Sequence, residues 1–202
     1  KIQLNTHCIG DSAFSWVAKI YAQHLEKGND ARWRIEHAQV FDPKDLYWLK
    51  EYNIIPSVQP CHAISDAAWV RDRIGDREQY AYNYRKLKEN SSILISGTDF
   101  PIESPDPFRN YFSGYKRQNM DLTPENGYNM NGALSKKEMI KSMTVWPQFG
   151  SFTESTSGSL EKDKNANFII LNQDFMSIPD EKIKSTYVLK TFIKGKEVYS
   201  AE

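Results

Sequence analysis

Two hydrophobic periodicities alternate along the first part of the chain. Residues 1–7 alternate polar and apolar side chains, which predicts a strand with one buried face. A helix is predicted next, beginning near Asp11 and ending at Gly28. Its apolar stripe, at helical spacing, consists of Phe14, Val17, Ala18, Tyr21 and Leu25.

Three further strand–helix units follow. The predicted strands are 31–39, 54–59 and 92–98. One helix begins at Asp42-Pro43, and a second, beyond a polar loop, spans about 78–88. Strands that alternate with helices indicate parallel βαβ units. The apolar run 93–95 indicates a strand buried on both faces, as in a parallel sheet.

The pattern changes in the second half. Residues 104–133 are rich in loops around an aromatic helix at 108–115, and Ser135 with Glu138 predicts the start of a helix that runs to about Trp146. The segments 168–171, 187–193 and 197–199 have strand character, with a turn at 194–196. We therefore predict a small all-β region that begins near Gly158.

Composition limits the partners. The 26 basic and 26 acidic residues cancel, which argues against a nucleic-acid partner. No apolar run approaches the roughly 20 residues that span a bilayer, so no membrane partner is expected. We expect a cytoplasmic location, with any targeting segment upstream of a chain that opens in mid-strand. Cys8 and Cys61 are predicted to be buried free thiols, which we favour over a disulfide or thiolate ligation of a metal.

The candidate chemistry lies where the predicted strands end. His7, His37 and His62 fall at or just past the ends of the first three strands, and the fourth ends at Asp99. Such positions converge on one mouth of a parallel barrel. Imidazoles and a carboxylate together suit a divalent metal such as zinc. The alternative, that each histidine is an ordinary core or loop residue, is weakened by three occurring at strand ends. The fourth, His24, lies on the first helix and is interpreted as structural or exposed.

Four motifs occur in a specific order. They are HCIGD at 7–11, RIEHAQ at 34–39, SVQPCH at 57–62 followed by Ser65-Asp66, and SGTDFPIE at 96–103. Together they resemble amidohydrolase family 3 of the metal-dependent hydrolase superfamily, which includes N-substituted formamide deformylases. The tail at 158–171 is similar to the segment with which these enzymes re-enter a β-sandwich. The resemblance covers nearly the whole chain.

The resemblance implies an α/β fold. Residues 1–157 would form the C-terminal half, strands 5–8, of a TIM-type (β/α)8 barrel, and residues 158–202 would form part of a small β-sandwich. The family's His-x-His after strand 1 and its strand 4 lysine or acid are absent, which leaves the ligand set partial. Asp163 and Asn167 depart from the family in a tail turn. A half barrel exposes two sheet edges, so we expect self-association as a homodimer.

The resemblance also implies roles for individual residues. His7 and His37 match metal ligands, and Asp99 matches the aspartate that binds metal and serves as general base. His62 is expected to contact substrate and to hydrogen-bond the developing oxyanion. The other candidates for substrate binding are Asp66, Trp69, Arg77, Arg117 and, more weakly, Arg71. For the arginines, surface salt bridges are an equally favoured alternative, and Asp11 is expected to cap the first helix.

The expected function is hydrolysis of C–N bonds of the amide or formamide type by metal-activated water. The cofactor would be a divalent metal, with zinc favoured and one or two ions in the whole protein, and the substrate a small-molecule amide. We expect the 202 residues alone to be inactive and to lack part of the metal site. Two alternatives stay open: a catalytically dead, self-associating module, and a hydrolase of a cyclic amide or an ester.

Overall fold

The computed structural model describes residues 2–201 and contains a four-stranded parallel sheet. Its strands follow the order β1-β2-β3-β4, so neighbours in sequence are neighbours in space. The strands are β1 (Asn5–Cys8), β2 (Arg34–His37), β3 (Ile55–Val58) and β4 (Ile95–Ser96). The mixed α/β class and the parallel pairing of all four predicted strands are confirmed.

Helices follow each of these strands. They are α1 (Asp11–His24), α2 (Tyr47–Glu51), α3 (Pro60–Ser65), α4 (Val70–Ile74), α5 (Tyr84–Glu89), α6 (Pro107–Lys116), α7 (Lys136–Met143) and α8 (Val145–Gly150). Short 3₁₀ segments occupy Pro43–Asp45, Gly75–Tyr80, Met130–Gly132 and Asp180–Ser185. None of the helices within residues 2–201 is both long and apolar enough to cross a bilayer.

Helix α1 packs through the stripe that its sequence predicts. Phe14, Ala18 and Tyr21 are buried in the main core. The Tyr21 hydroxyl hydrogen-bonds the Thr6 hydroxyl at 2.6 Å and donates to the Arg34 carbonyl at 3.0 Å. One aromatic side chain thus fixes the helix to both β1 and β2, while its ring stays in the apolar interior.

The segment between β3 and β4 differs from the prediction. Residues predicted as a polar loop contain α3, which Pro60 begins, and α4. The helix predicted at 78–88 is wrong as a single element: a 3₁₀ turn ends at Tyr80, and Tyr82 has a φ of 52°. The Tyr82 amide instead donates to the Gln39 carbonyl at 2.7 Å. A long-range backbone bond has replaced the local helical one.

The predicted helix at 135–146 is divided in two. The capping box of Ser135 and Glu138 is confirmed at the start of α7. Thr144 leaves the helical conformation, with φ −126° and ψ −78°, and α8 begins after it. The hydroxyl of Thr144 bonds the Ile140 carbonyl at 2.7 Å, a local side-chain contact that competes with a continuous helix.

The C-terminal segment forms a three-stranded antiparallel sheet. Its strands are β5 (Phe168–Leu171), β6 (Val188–Ile193) and β7 (Lys196–Ser200), in that order. Lys194 and Gly195 both have positive φ in the two-residue turn between β6 and β7. The β character and this turn are confirmed. A barrel half at 1–157, a boundary near Gly158 and a sandwich at 158–202 remain predictions.

At the N-terminal end of the parallel sheet, Arg32 joins the chain to the segment after α7. Its Nη1 donates to the Phe149 carbonyl, and Nη1 and Nη2 bind the Glu154 carboxylate at 3.0 and 2.8 Å. The guanidinium lies 3.7 Å from the Phe149 ring centroid and 4.3 Å from that of Phe152. Nε binds Asp30 at 2.7 Å, which completes a set of partners around the charge.

Both cysteines are buried free thiols, as predicted. Burial raises the pKa of Cys8 to about 12 and that of Cys61 to about 11.

Candidate metal centre

Three side chains converge at the C-terminal end of the parallel sheet. His37 is the last residue of β2, His62 lies in α3 just past β3, and Asp99 follows β4. One potential ligand atom of each lies within 4.8 Å of the others. His62 Nε2 and Asp99 Oδ2 are 3.8 Å apart. Two imidazoles and a carboxylate at this spacing form a donor set of the kind that holds zinc in proteins.

His7 lies beside this cluster. Its ring centroid is 4.6 Å from that of His37, with the rings edge to face. His37 and His62 are stacked at 5.7 Å, with 21° between their planes. The three imidazoles therefore form a row across β1, β2 and α3. His7 adjoins the converging ligand atoms without being one of the three that meet.

His37 and His62 each have a ring nitrogen without a hydrogen-bond partner among the described residues. His37 Nδ1 and His62 Nε2 are buried and have no hydrogen-bond partner among the described residues. Buried polar atoms are normally paired because desolvation without a partner is costly. Buried, unpaired imidazole nitrogens in a cluster that also contains a carboxylate are what a metal site presents before its ion is bound. The residues present thus fit a divalent metal.

Electrostatics favours the neutral form of His37. Burial, with a further contribution from His7, lowers the pKa of His37 below its ordinary value. A metal binds the neutral imidazole, so this shift suits a ligand.

The backbone is strained where two of the candidate ligands leave their strands. His37, Ala38 and Asp99 have φ values of 69°, 45° and 59°. Residues other than glycine seldom adopt positive φ, and such strain clusters at functional sites. After Asp99, the Ile102 amide donates to the Asp99 carbonyl at 2.8 Å, which closes the turn that presents the carboxylate.

The predicted substrate-binding residues occupy different surroundings. Asp66, at the end of α3, accepts a hydrogen bond from the Tyr82 hydroxyl. Trp69 is 47% exposed at the start of α4 and is available to a ligand. Arg77 binds the Asp11 carboxylate at 2.7 Å, and this contact lowers the pKa of Asp11.

Two smaller expectations concern the same surface. Asp11 lies in the first turn of α1, while the N-cap position is Gly10, which has no side-chain cap. Asp11 therefore stabilises the helix start from within it, so its predicted capping role is wrong in detail. Arg71 is 3.9 Å from Glu78, a long ion pair at the surface. The salt bridges weighed as the alternative for these arginines are present, and a substrate role for Arg77 stays a prediction.

Arg117 is fully buried at the end of α6. Its guanidinium lies 5.0 Å from the Tyr84 ring and 5.5 Å from the Tyr128 ring, and Nε donates to the Tyr128 carbonyl at 2.8 Å. Burial lowers the pKa of Arg117. Its Nη1 and Nη2 have no hydrogen-bond partner among the described residues, and a substrate role for Arg117 stays a prediction.

The sheet and its edge define a class: an α/β chain with parallel strands that presents histidines and an aspartate where the strands end. A sequence model of the amidohydrolase family matches residues 1–199. The chain therefore belongs to the amidohydrolase family, and the resemblance found from its motifs is confirmed.

Known relatives agree with this assignment. A Bacillus subtilis protein named as an amidohydrolase, YtcJ, is 30% identical over 199 residues, which are 98% of this chain and 37% of that protein. The N-substituted formamide deformylase of Arthrobacter pascens is 21% identical over 197 residues, 96% of this chain and 36% of that protein. The chain spans about a third of the length of these relatives.

Solved structures share the fold. An uncharacterized metal-dependent hydrolase from Pyrococcus horikoshii superimposes with a TM-score of 0.75 at 26% identity, covering 89% of this chain and 35% of that one. A metal-dependent hydrolase from Pyrococcus furiosus gives a TM-score of 0.66, also at 26% identity, over 82% of this chain and 32% of the other.

Proposed function

We propose that this chain forms the candidate metal centre of a metal-dependent hydrolase that cleaves C–N bonds of amides or formamides. The observation that supports this most is the convergence of His37, His62 and Asp99 within 4.8 Å. A ring nitrogen of each histidine is buried without a partner among the described residues, which costs stability, so the cluster is better explained by ligand binding than by folding. The name of the Arthrobacter pascens relative, an N-substituted formamide deformylase, supports the choice of amide-type bonds.

The proposed ligands are His7, His37 and Asp99, and the proposed ion is zinc. A divalent metal held there supplies Lewis acidity, which lets water lose a proton near neutral pH. Asp99, 40% exposed at its side chain, is proposed to accept that proton and to pass it to the leaving nitrogen. His62 is proposed to hydrogen-bond the carbonyl oxygen as negative charge develops on it.

The geometry offers a second arrangement in which His62 is itself a ligand, because one of its ring nitrogens belongs to the converging atoms. A His62→Ala variant separates the two. If His62 serves the oxyanion, the variant keeps its metal and loses turnover. If His62 is a ligand, metal and turnover are lost together. Elemental analysis and a hydrolysis assay on the same sample decide between these assignments.

The test of the function uses the protein as it is expressed from its own gene, supplied with zinc. The panel contains an N-substituted formamide, a linear amide, a cyclic amide and an ester. We expect the formamide or the linear amide to be hydrolysed, and Asp99→Asn to lower kcat by roughly a thousandfold through loss of the general base. His24→Gln, which changes a histidine of α1 outside the cluster, is the matched control and should keep full activity.

Hydrolysis of the ester alone would overturn the proposed C–N specificity. Retention of activity in Asp99→Asn would overturn the assignment of the base. Absence of hydrolysis across the whole panel would favour the second candidate, a chain that only self-associates.

One observation favours self-association as a property of the 202-residue chain. β1 pairs only with β2 within the described sheet, and apolar side chains just before β1 and on the following helix α1 are exposed: Leu4 (40%), Trp16 (68%) and Ile20 (46%). Open edges and apolar patches of this kind promote association. We propose a homodimer, and sedimentation that gives a single monomeric species would contradict it.

A further inference from the structure

A buried tyrosine links two of the segments that carry the candidate ligands. Tyr82 is 1% exposed and lies between the 3₁₀ turn that ends at Tyr80 and α5. Its hydroxyl donates to the Asp66 carboxylate and accepts from Gln39 Nε2 at 2.7 Å. Its backbone amide donates to the Gln39 carbonyl at 2.7 Å. Both hydrogen-bonding capacities of the hydroxyl are thus used inside the protein.

The two partners of Tyr82 stand close to the histidines in sequence. Gln39 lies two residues after His37. Asp66 ends α3, the helix that holds His62, and its amide donates to the His62 carbonyl at 3.0 Å. The hydroxyl therefore joins the segment that leaves β2 with His37 to the helix that holds His62.

The Tyr82 hydroxyl connects these two segments beyond the point where β2 and β3 stop pairing with each other. The pairing of β2 with β3 ends at Glu36 and Ser57, so His37 pairs with Cys8 of β1 but lies beyond the last residue that pairs with β3. His37 and Ala38 have positive φ, a conformation that persists only when surrounding contacts hold it. Tyr82 also has positive φ, at 52°, so both segments are strained where they meet.

We propose that Tyr82 is a positioning residue of the metal centre, which fixes His62 relative to His37 through Asp66 and Gln39. The inference rests on the proposed metal site. Burial and the Asp66 contact raise the pKa of Tyr82, so the hydroxyl stays neutral and remains a donor. Hydrogen bonds that orient ligands from outside the coordination sphere strongly affect metal affinity. Asp66, predicted from sequence to face substrate, acquires a positioning role as well.

The first experiment needs no metal. The chain is labelled with ¹³C at the histidine rings, and the signals of Tyr82→Phe are compared with those of the wild type. We expect the His37 and His62 signals to move while that of His24, on α1, stays in place. Tyr111→Phe is the matched control, because Tyr111 is equally buried and its hydroxyl contacts Met176 far along the chain. This control should leave all four histidine signals unchanged.

A second variant protects the test against misfolding. Asp66→Ala removes the same hydrogen bond without altering the buried ring, and it should move the same two signals. If His37 and His62 keep their wild-type positions in both variants, the positioning role is overturned, even where unfolding shows a loss of stability.

The second experiment adds zinc alone to the same proteins. Tyr82→Phe is expected to bind zinc about tenfold more weakly than the wild type, and Tyr111→Phe equally well. Equal zinc affinity in Tyr82→Phe and wild type would overturn the link to the metal. Absence of zinc binding by the wild type would instead count against the proposed metal function, and the histidine signals would still decide whether Tyr82 positions the two rings.

Discussion

The two ends of the parallel sheet differ in whether their buried polar side chains have hydrogen-bond partners. At the N-terminal end, Arg32 is enclosed by Asp30, Glu154 and the Phe149 carbonyl. At the C-terminal end, His37 Nδ1 and His62 Nε2 are buried without partners among the described residues. Both ends contain strained backbone, with φ of 55° at Arg32 and 69° at His37.

We interpret the N-terminal end, where the polar groups are paired, as stabilising the fold, and the C-terminal end, where they are unpaired, as binding a ligand. A charge whose donors are all directed at partners holds segments together and has little left for a ligand. Nitrogens that are desolvated but unpaired cost stability, which folding alone would not favour. Strain accompanies both, so positive φ by itself does not identify the site. Unpaired buried atoms do not identify the site alone either, because Nη1 and Nη2 of the buried Arg117 also lack partners among the described residues. At the C-terminal end of the sheet they coincide with two imidazoles and a carboxylate whose potential ligand atoms lie within 4.8 Å of one another.

The largest expected effect on the free energy of unfolding comes from Arg32, at the N-terminal end of the sheet. Arg32→Ala removes a two-pronged ion pair and the stacking on Phe149, and leaves Glu154 unpaired. Because the Glu154 side chain is 39% exposed and solvent screens the ion pair, we expect the free energy of unfolding to fall by about 2 kcal/mol, measured by urea denaturation. Arg32→Lys keeps the charge but loses the forked geometry. Its free energy of unfolding should lie between that of Arg32→Ala and that of the wild type. A loss in Arg32→Ala below about 0.5 kcal/mol would contradict the structural role.

A smaller effect depends on pH. The hydrogen bond from Arg32 lowers the pKa of Glu154 below its ordinary value of 4.5. A carboxyl with a lowered folded-state pKa stabilises the fold above its unfolded value, and that contribution is lost as the pH falls through the folded value. The free energies of unfolding of wild type and Glu154→Gln should therefore differ near pH 6, and this difference should shrink progressively as the pH falls below about 4.5. A difference that stays constant across this range would contradict the ion pair's contribution.

The smallest effect on the free energy of unfolding is expected at His37, at the C-terminal end of the sheet. His37→Ala loses ring contacts with His7 and His62, but it also removes a buried nitrogen that has no partner. These contributions oppose each other, so the free energy of unfolding without metal should change by less than about 1 kcal/mol. A loss as large as that of Arg32→Ala would mean that the histidine row is part of the structural core.

Sequence patterns predicted the features that depend on local periodicity. Four parallel strands and the stripe on α1 follow from the spacing of apolar residues. The closeness of His37, His62 and Asp99 follows from their positions where strands end, because parallel strands end at the same edge.

Other features depend on contacts that have no local signal. Tyr82 breaks the helix predicted at 78–88 because its amide pairs with Gln39, more than forty residues earlier. Nothing in the spacing around Arg117 separates a buried arginine between two tyrosines from one that meets a substrate. Gln39 lies inside a recognised motif, which is the one signal that could have directed attention to this contact.

The most direct test of the account is the zinc content of the purified chain after dialysis, with zinc titration by calorimetry. We predict stoichiometric zinc in the wild type and in His24→Gln, and at least about a hundredfold weaker binding in His37→Ala. Such a result would establish that the unsatisfied nitrogens at the C-terminal end of the sheet form a metal site. Zinc that is absent from the wild type, or that binds His37→Ala equally well, would contradict the central claim.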